Sequence, residues 1–132
     1  MITFLAESRQ YKVYSICDNV YLKRKATCRS LDDFDETDVL IGWIYGDPSG
    51  ALIMPCEKHV VVAGCGLTIF DIDSKQEQYL LADPDNITWT SALHQTDADD
   101  SQMEFRYIDY SEDHKPRVFK MNILTKVTSL LN

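Results

Sequence analysis

Asp97, Asp99 and Asp100, with Glu104 just beyond, gather hard oxygen donors in one segment, and the chemistry such a set implies is calcium binding. An EF-hand loop needs alternating carboxylates, a glycine at its sixth position and a glutamate at its twelfth. The glycine is missing and the flanks read as strands, so a solvated acidic loop is the better reading. Cys56, His59 and Cys65 offer zinc-type ligands, but structural zinc takes four, usually in two close pairs, and His94 and His114 stand alone in polar stretches. Asp71 and Asp73 are two apart on a strand and share a face, where paired carboxylates do acid–base work only if burial separates their pKa values. His94, His114 and Lys115 have the residue types of a ribonuclease acid–base set. Gly64-Cys-Gly66 lacks the third glycine and the following helix of a dinucleotide site, and reads as a tight turn. There is no Gly-x-Ser-x-Gly and no cysteine in a nucleophile setting. The expectation is a protein that is not an enzyme and uses no cofactor.

Charge is the stronger signal. Residues 1–30 carry a net +4 and residues 115–132 another +4, while the middle sets nineteen acids against Lys58, Lys75 and Arg106, for −8 overall. An acidic middle of that size attracts cations and basic proteins and repels nucleic acid, which also removes the ribonuclease reading. The acids cluster at 32–38, 71–77, 83–85, 97–100 and 109–113, between apolar segments. A charge run is ordinarily a solvated face. Its sharper reading is an electrostatic docking surface, with Trp43, Trp89, Tyr107 and Tyr110 as candidate aromatic anchors.

The elements that must position these residues are strands. A chain of 132 residues reads as a single domain, 1–132, long enough to bury a sizeable core. Apolar or alternating segments at 11–17, 20–22, 39–45, 51–54, 59–63, 67–72, 78–82, 87–90, 102–110 and 117–123 are separated by turn clusters such as Gly46-Asp-Pro-Ser-Gly50. The runs at 39–45 and 59–63 are continuously apolar, the pattern of strands covered on both faces. In 102–110, Met103, Phe105 and Tyr107 alternate onto one face. Ser30-Leu-Asp-Asp33 resembles a capping box and predicts one short helix over 31–37. The fold class expected is all-β, mainly antiparallel, sandwich or barrel-like, with at most one or two short helices. Residues 57–110 could form one propeller blade and a strand, but no second copy shows at a 40–50-residue period, so that reading is set aside. No run reaches membrane-span length, and the N-terminus lacks the form of a secretory signal. A reducing, cytoplasmic setting is therefore expected, with Cys17, Cys28, Cys56 and Cys65 as buried free thiols.

On its acidic segments Asp32–Asp38 and Asp97–Asp100, its strands and its lack of a catalytic motif, the chain resembles the bacterial immunity proteins of contact-dependent growth inhibition systems. The resemblance implies a one-to-one complex with a basic toxin, a nuclease of RNase type, whose cleft the acidic surface fills in place of phosphate. The residues assigned to partner binding are Asp32, Asp33, Asp35, Glu36, Asp97, Asp99, Asp100 and Tyr107. The alternatives are a carboxylate-rich calcium-binding or metal-stabilised β domain, and an enzyme without a recognisable motif.

Overall fold

The computed structural model describes residues 2–81, 83, 85–95, 102–110 and 115–131, and among them there is no helix. Three antiparallel sheets of four strands follow one another along the chain. The first holds β1 (Ile2–Glu7), β2 (Tyr11–Ile16), β3 (Asn19–Arg24) and β4 (Val39–Trp43). The second holds β5 (Gly50–Ile53), β6 (His59–Gly64), β7 (Gly66–Asp71) and β8 (Gln76–Leu80). The third holds β9 (Thr90–His94), β10 (Glu104–Asp109), β11 (Arg117–Asn122) and β12 (Thr128–Leu130). In each sheet strand order is chain order, so each is a simple meander resembling a propeller blade. The single blade considered over residues 57–110 is not formed: that stretch is divided between the second sheet, which begins at β5, and the third, which begins at β9.

The second sheet lies between the other two, and its composition explains why. Val60 and Val62 of β6, with Phe70 and Ile72, pack against Tyr11, Val13, Val20, Leu22 and Ile41 of the first sheet. Val61 and Ala63, with Leu67 and Ile69 of β7, pack against Phe105, Tyr107, Met121 and Ile123 of the third. Consecutive residues of a strand point to opposite faces, so a continuously apolar strand must be covered twice. Full burial of each such side chain contributes roughly 1.5–3 kcal/mol. The third sheet buries one face, and β10 alternates accordingly, whereas the first sheet also buries Tyr14 and Lys23 on its outer side.

The continuous run at 39–45 is the exception. It forms β4, the edge of the first sheet, and only Ile41, Gly42 and Ile44 in it are buried. The helix expected over 31–37 is also absent. Ser30 Oγ does accept the Asp33 N–H at 3.2 Å, as a cap would, but Asp35 and Asp38 take the next backbone donors into an irregular loop. The four cysteines are free, yet Cys17 is exposed and the others half-buried, not the buried thiols expected. Cys65 sits at the β6–β7 tip and bridges to Trp89.

Candidate interaction surface

The acidic segment at 32–38 divides into two groups with different work. Asp32, Asp33 and Glu36 are exposed. Asp32 reaches Lys12 at 3.3 Å and Glu36 reaches Arg29 at 3.8 Å, both at the surface. Asp35 and Asp38 turn inward. Asp35 accepts hydrogen bonds from the Thr37 N–H at 3.0 Å, the Arg29 N–H at 2.5 Å and the Thr37 hydroxyl at 3.1 Å. The two backbone donors hold its carboxyl down at about 2. Asp38 Oδ2 accepts from the Tyr14 hydroxyl at 2.5 Å, the Lys23 ammonium at 2.8 Å and the Asp35 N–H at 3.0 Å. The Lys23 and Asp38 side chains are fully buried. Burial, with the Asp38 carboxylate beside it, pushes the Tyr14 hydroxyl far above its ordinary range. Asp35 is therefore a loop-building residue and not a docking contact.

Above this anchor the loop from 25 to 38 lies over the outer face of the first sheet. Phe34 meets Tyr21 edge-on at 5.4 Å, and Tyr21 stacks on Tyr14 at 5.4 Å. The same face continues along β4. Leu40 stands opposite Tyr21 and Trp43 opposite Asn19, and a bulge between them keeps both on that face. Beyond the strand, Trp43 touches Tyr45 at 6.3 Å between ring centroids, and Tyr45 touches Trp89 at 6.4 Å. Leu40 is 50% exposed, Trp43 53%, Tyr45 57% and Trp89 40%. This is an apolar strip on an edge strand, running from the acidic loop to the end of the stacked sheets. Gly46 turns the chain beside the Trp89 ring at φ +75°, a conformation that favours glycine.

The far end of the strip is acidic as well. The Asp47 N–H donates to Asp18 Oδ1 at 3.2 Å. The Asp18 carboxylate, sharing a hydrogen bond with the Asp47 side chain, raises the Asp47 carboxyl above its ordinary value. Two carboxylates crowded in this way favour an incoming cation that relieves their repulsion. The strip and its carboxylates give an aromatic, acid-edged surface suited to the side chains of a basic protein.

Of the remaining residues assigned to partner binding, Tyr107 must be withdrawn. It is 3% exposed, stacked on Phe119 at 5.6 Å between the second and third sheets, and burial pushes its hydroxyl up to about 12. The alternation that put it beside Phe105 already placed it on the core face. Asp97, Asp99 and Asp100 lie outside the described residues, as does His114. Tyr45, Leu40 and Phe34 were not singled out by sequence. The signal for Tyr45 was its place between Trp43 and the Gly46 turn.

The other candidate chemistry is sparse. Asp71 caps its own hairpin turn, its Oδ1 accepting from the N–H groups of Asp73 at 3.0 Å and Ser74 at 3.1 Å, and Asp73 is exposed. The Ser74 N–H leads in lowering the Asp71 carboxyl. His59 Nε2 lies 3.4 Å from Asp71 Oδ2 at a pocket of about 180 Å³. Asp71 is thus a turn residue with a histidine neighbour, and does not form an acid–base pair with Asp73. No group of three or more histidine, cysteine, aspartate or glutamate side chains placed to hold a metal occurs among the described residues. No helix among them is long and apolar enough to cross a membrane. No protein-family model matches the sequence, and no curated protein matches it.

Proposed function

We propose that this chain is an immunity protein, one that binds a single cognate basic toxin, a nuclease of RNase type, and blocks its substrate cleft in the cytoplasm of the cell that makes it. The observation that carries the reading is the exposed strip Phe34–Leu40–Trp43–Tyr45–Trp89 with carboxylates at both ends. The two features divide the work of binding. Asp32, Asp33 and Glu36 at one end, and Asp18 and Asp47 at the other, steer a basic partner and raise the association rate. The aromatic side chains, once desolvated, slow dissociation. The chain supplies no chemistry; it occupies a site shaped for phosphate.

The test uses the reading frame next to its gene. Expressed alone that product arrests growth, and co-expression of this chain relieves the arrest through a one-to-one complex without nuclease activity. No arrest, or arrest without relief, overturns the reading. Within the complex, replacing Asp32, Asp33 and Glu36 together by Lys slows association by about tenfold. Trp43→Ala or Trp89→Ala weakens binding by about 30-fold, mainly through dissociation. Trp43→Ala leaves the stability of the free protein within about 0.5 kcal/mol, since its side chain stands largely in water.

A further inference from the structure

We propose that the open end of the gap between the first and second sheets is a binding site for a small amphipathic carboxylate. The cavity there has a volume of about 330 Å³, room for about ten waters and within the range of small-molecule sites. Its floor is core: Tyr11 and Leu22 from the first sheet, Phe70 and Ile72 from the second. Its rim carries two cations, Arg24 at the end of β3 and Lys75 in the turn before β8. Neither makes an ion pair with a carboxylate among the described residues, in a chain whose net charge is −8. In contrast, Lys12, Lys23, Lys25, Arg29 and Lys120 each have an acidic partner.

A ring contact places the Arg24 charge, and the turn backbone places the residue that carries the Lys75 charge. The Arg24 guanidinium lies 5.6 Å from the centre of the Tyr11 ring, and its carbonyl accepts the N–H groups of Thr27 and Cys28. Lys75 adopts φ +60° and donates its N–H to the Asp71 carbonyl. Of the carboxylates near the rim, Asp35 beside Thr37 turns to its own three donors, and Asp71 Oδ1 accepts the N–H groups of Asp73 and Ser74 in the turn that carries Lys75. The arrangement is therefore a fork donor and a point charge at the mouth of an apolar slot. That combination selects a carboxylate head with a short hydrocarbon or aromatic body. Small polar anions lack the body, and neutral alcohols lack the head.

This site is separate from the β4 strip, and the proposal stands whether or not a toxin partner exists. The test is a titration of the full chain with hexanoate, acetate, hexan-1-ol and inorganic phosphate, followed by backbone and aromatic NMR shifts. Hexanoate is expected to saturate with Kd near 1 mM, moving Tyr11, Leu22 and Phe70 together. Acetate, hexan-1-ol and phosphate are expected to bind at least tenfold more weakly. Lys75→Gln, and separately Arg24→Gln, each weaken hexanoate about tenfold while leaving the remaining spectrum in place. Equal binding of hexan-1-ol would reduce the site to an apolar crevice, and equal binding of phosphate would reduce it to two surface cations. Either result, or no saturation by hexanoate, overturns the proposal.

Discussion

Lys23→Met is the perturbation that most directly probes how the acidic loop is held. Lys23 and Asp38 are both fully buried, 2.8 Å apart, so solvent screening does not weaken their interaction. At that distance and an effective dielectric near 20, their attraction is about 6 kcal/mol, set against a desolvation cost of several kcal/mol for each ion. The pair as a whole is close to neutral. Removing one partner is not, because Asp38 keeps the desolvation cost and loses the cation. Asp38 Oδ1 already has no hydrogen-bond partner among the described residues, so the remaining carboxylate is poorly compensated. The expected loss is about 3–5 kcal/mol, a large share of the roughly 5–15 kcal/mol that holds a domain of this kind. For a chain of this length it corresponds to a fall in Tm of about 10–20 °C. The assay is urea unfolding of the wild type, Lys23→Met, Asp38→Leu, and the two combined with Tyr14→Phe, which removes the hydroxyl left unpaired. The combined variant should recover most of the loss. A Lys23→Met protein within about 1 kcal/mol of wild type would refute the reasoning, and the anchor with it.

Other expectations follow from single contacts. Thr90 is buried, its hydroxyl donating to the Gly66 carbonyl at 2.5 Å and accepting the Gly64 N–H at 3.0 Å, so Thr90→Val should cost about 1–3 kcal/mol in denaturant unfolding. Asp35 is held at about 2 against an ordinary 3.8. A depressed carboxyl stabilises the fold above its unfolded value, and that contribution is lost as pH falls from about 4 to about 2. Asp35→Asn should flatten the pH dependence of Tm in that window, and an unchanged slope would count against the bonds described. Calcium at about 1 mM should leave Tm unmoved if the carboxylates serve docking, whereas a rise of several degrees would restore the metal-stabilised alternative.

Much of the fold was legible because the middle sheet is extreme. The continuous run His59 to Ala63 fits a strand covered on both faces, and β10 shows its one buried face by alternation. The three-sheet repeat was not legible, because inner and outer sheets meet different surroundings and so carry different patterns. The run at 39–45 looked like a second inner strand, yet it buries only Ile41 and Ile44 among its side chains and leaves Leu40, Trp43 and Tyr45 at the surface. Hydrophobic pattern reports which residues avoid water in some state of the protein, and a binding strip satisfies that only when occupied. The loop at 31–37 misled differently. Its capping residues were read correctly, but carboxylates at Asp35 and Asp38 compete for backbone donors, and a buried lysine in β3 gives them a reason to turn inward. Lys23 is invisible as a core residue because a base in a strand ordinarily faces solvent.

The double burial of the middle sheet has a consequence for how the chain finds one structure among near-equals. In a strand with one wet face, sliding by a single residue drives its apolar side chains into water, and hydrophobicity alone forbids the error. In β6 and β7 a slip exchanges Val60 and Val62 for Val61 and Ala63, apolar for apolar, with almost no such penalty. Discrimination must come from positions that tolerate no exchange. Gly64 and Gly66 are such positions: a Cβ at Gly66 would stand 2.5 Å from the Leu80 carbonyl, and one at Gly64 2.8 Å from Ile44. With the Thr90 hydroxyl fitted between them, the hairpin tip can be assembled in only one alignment. The information that fixes the alignment of the two most hydrophobic strands therefore resides in two residues that have no side chain at all.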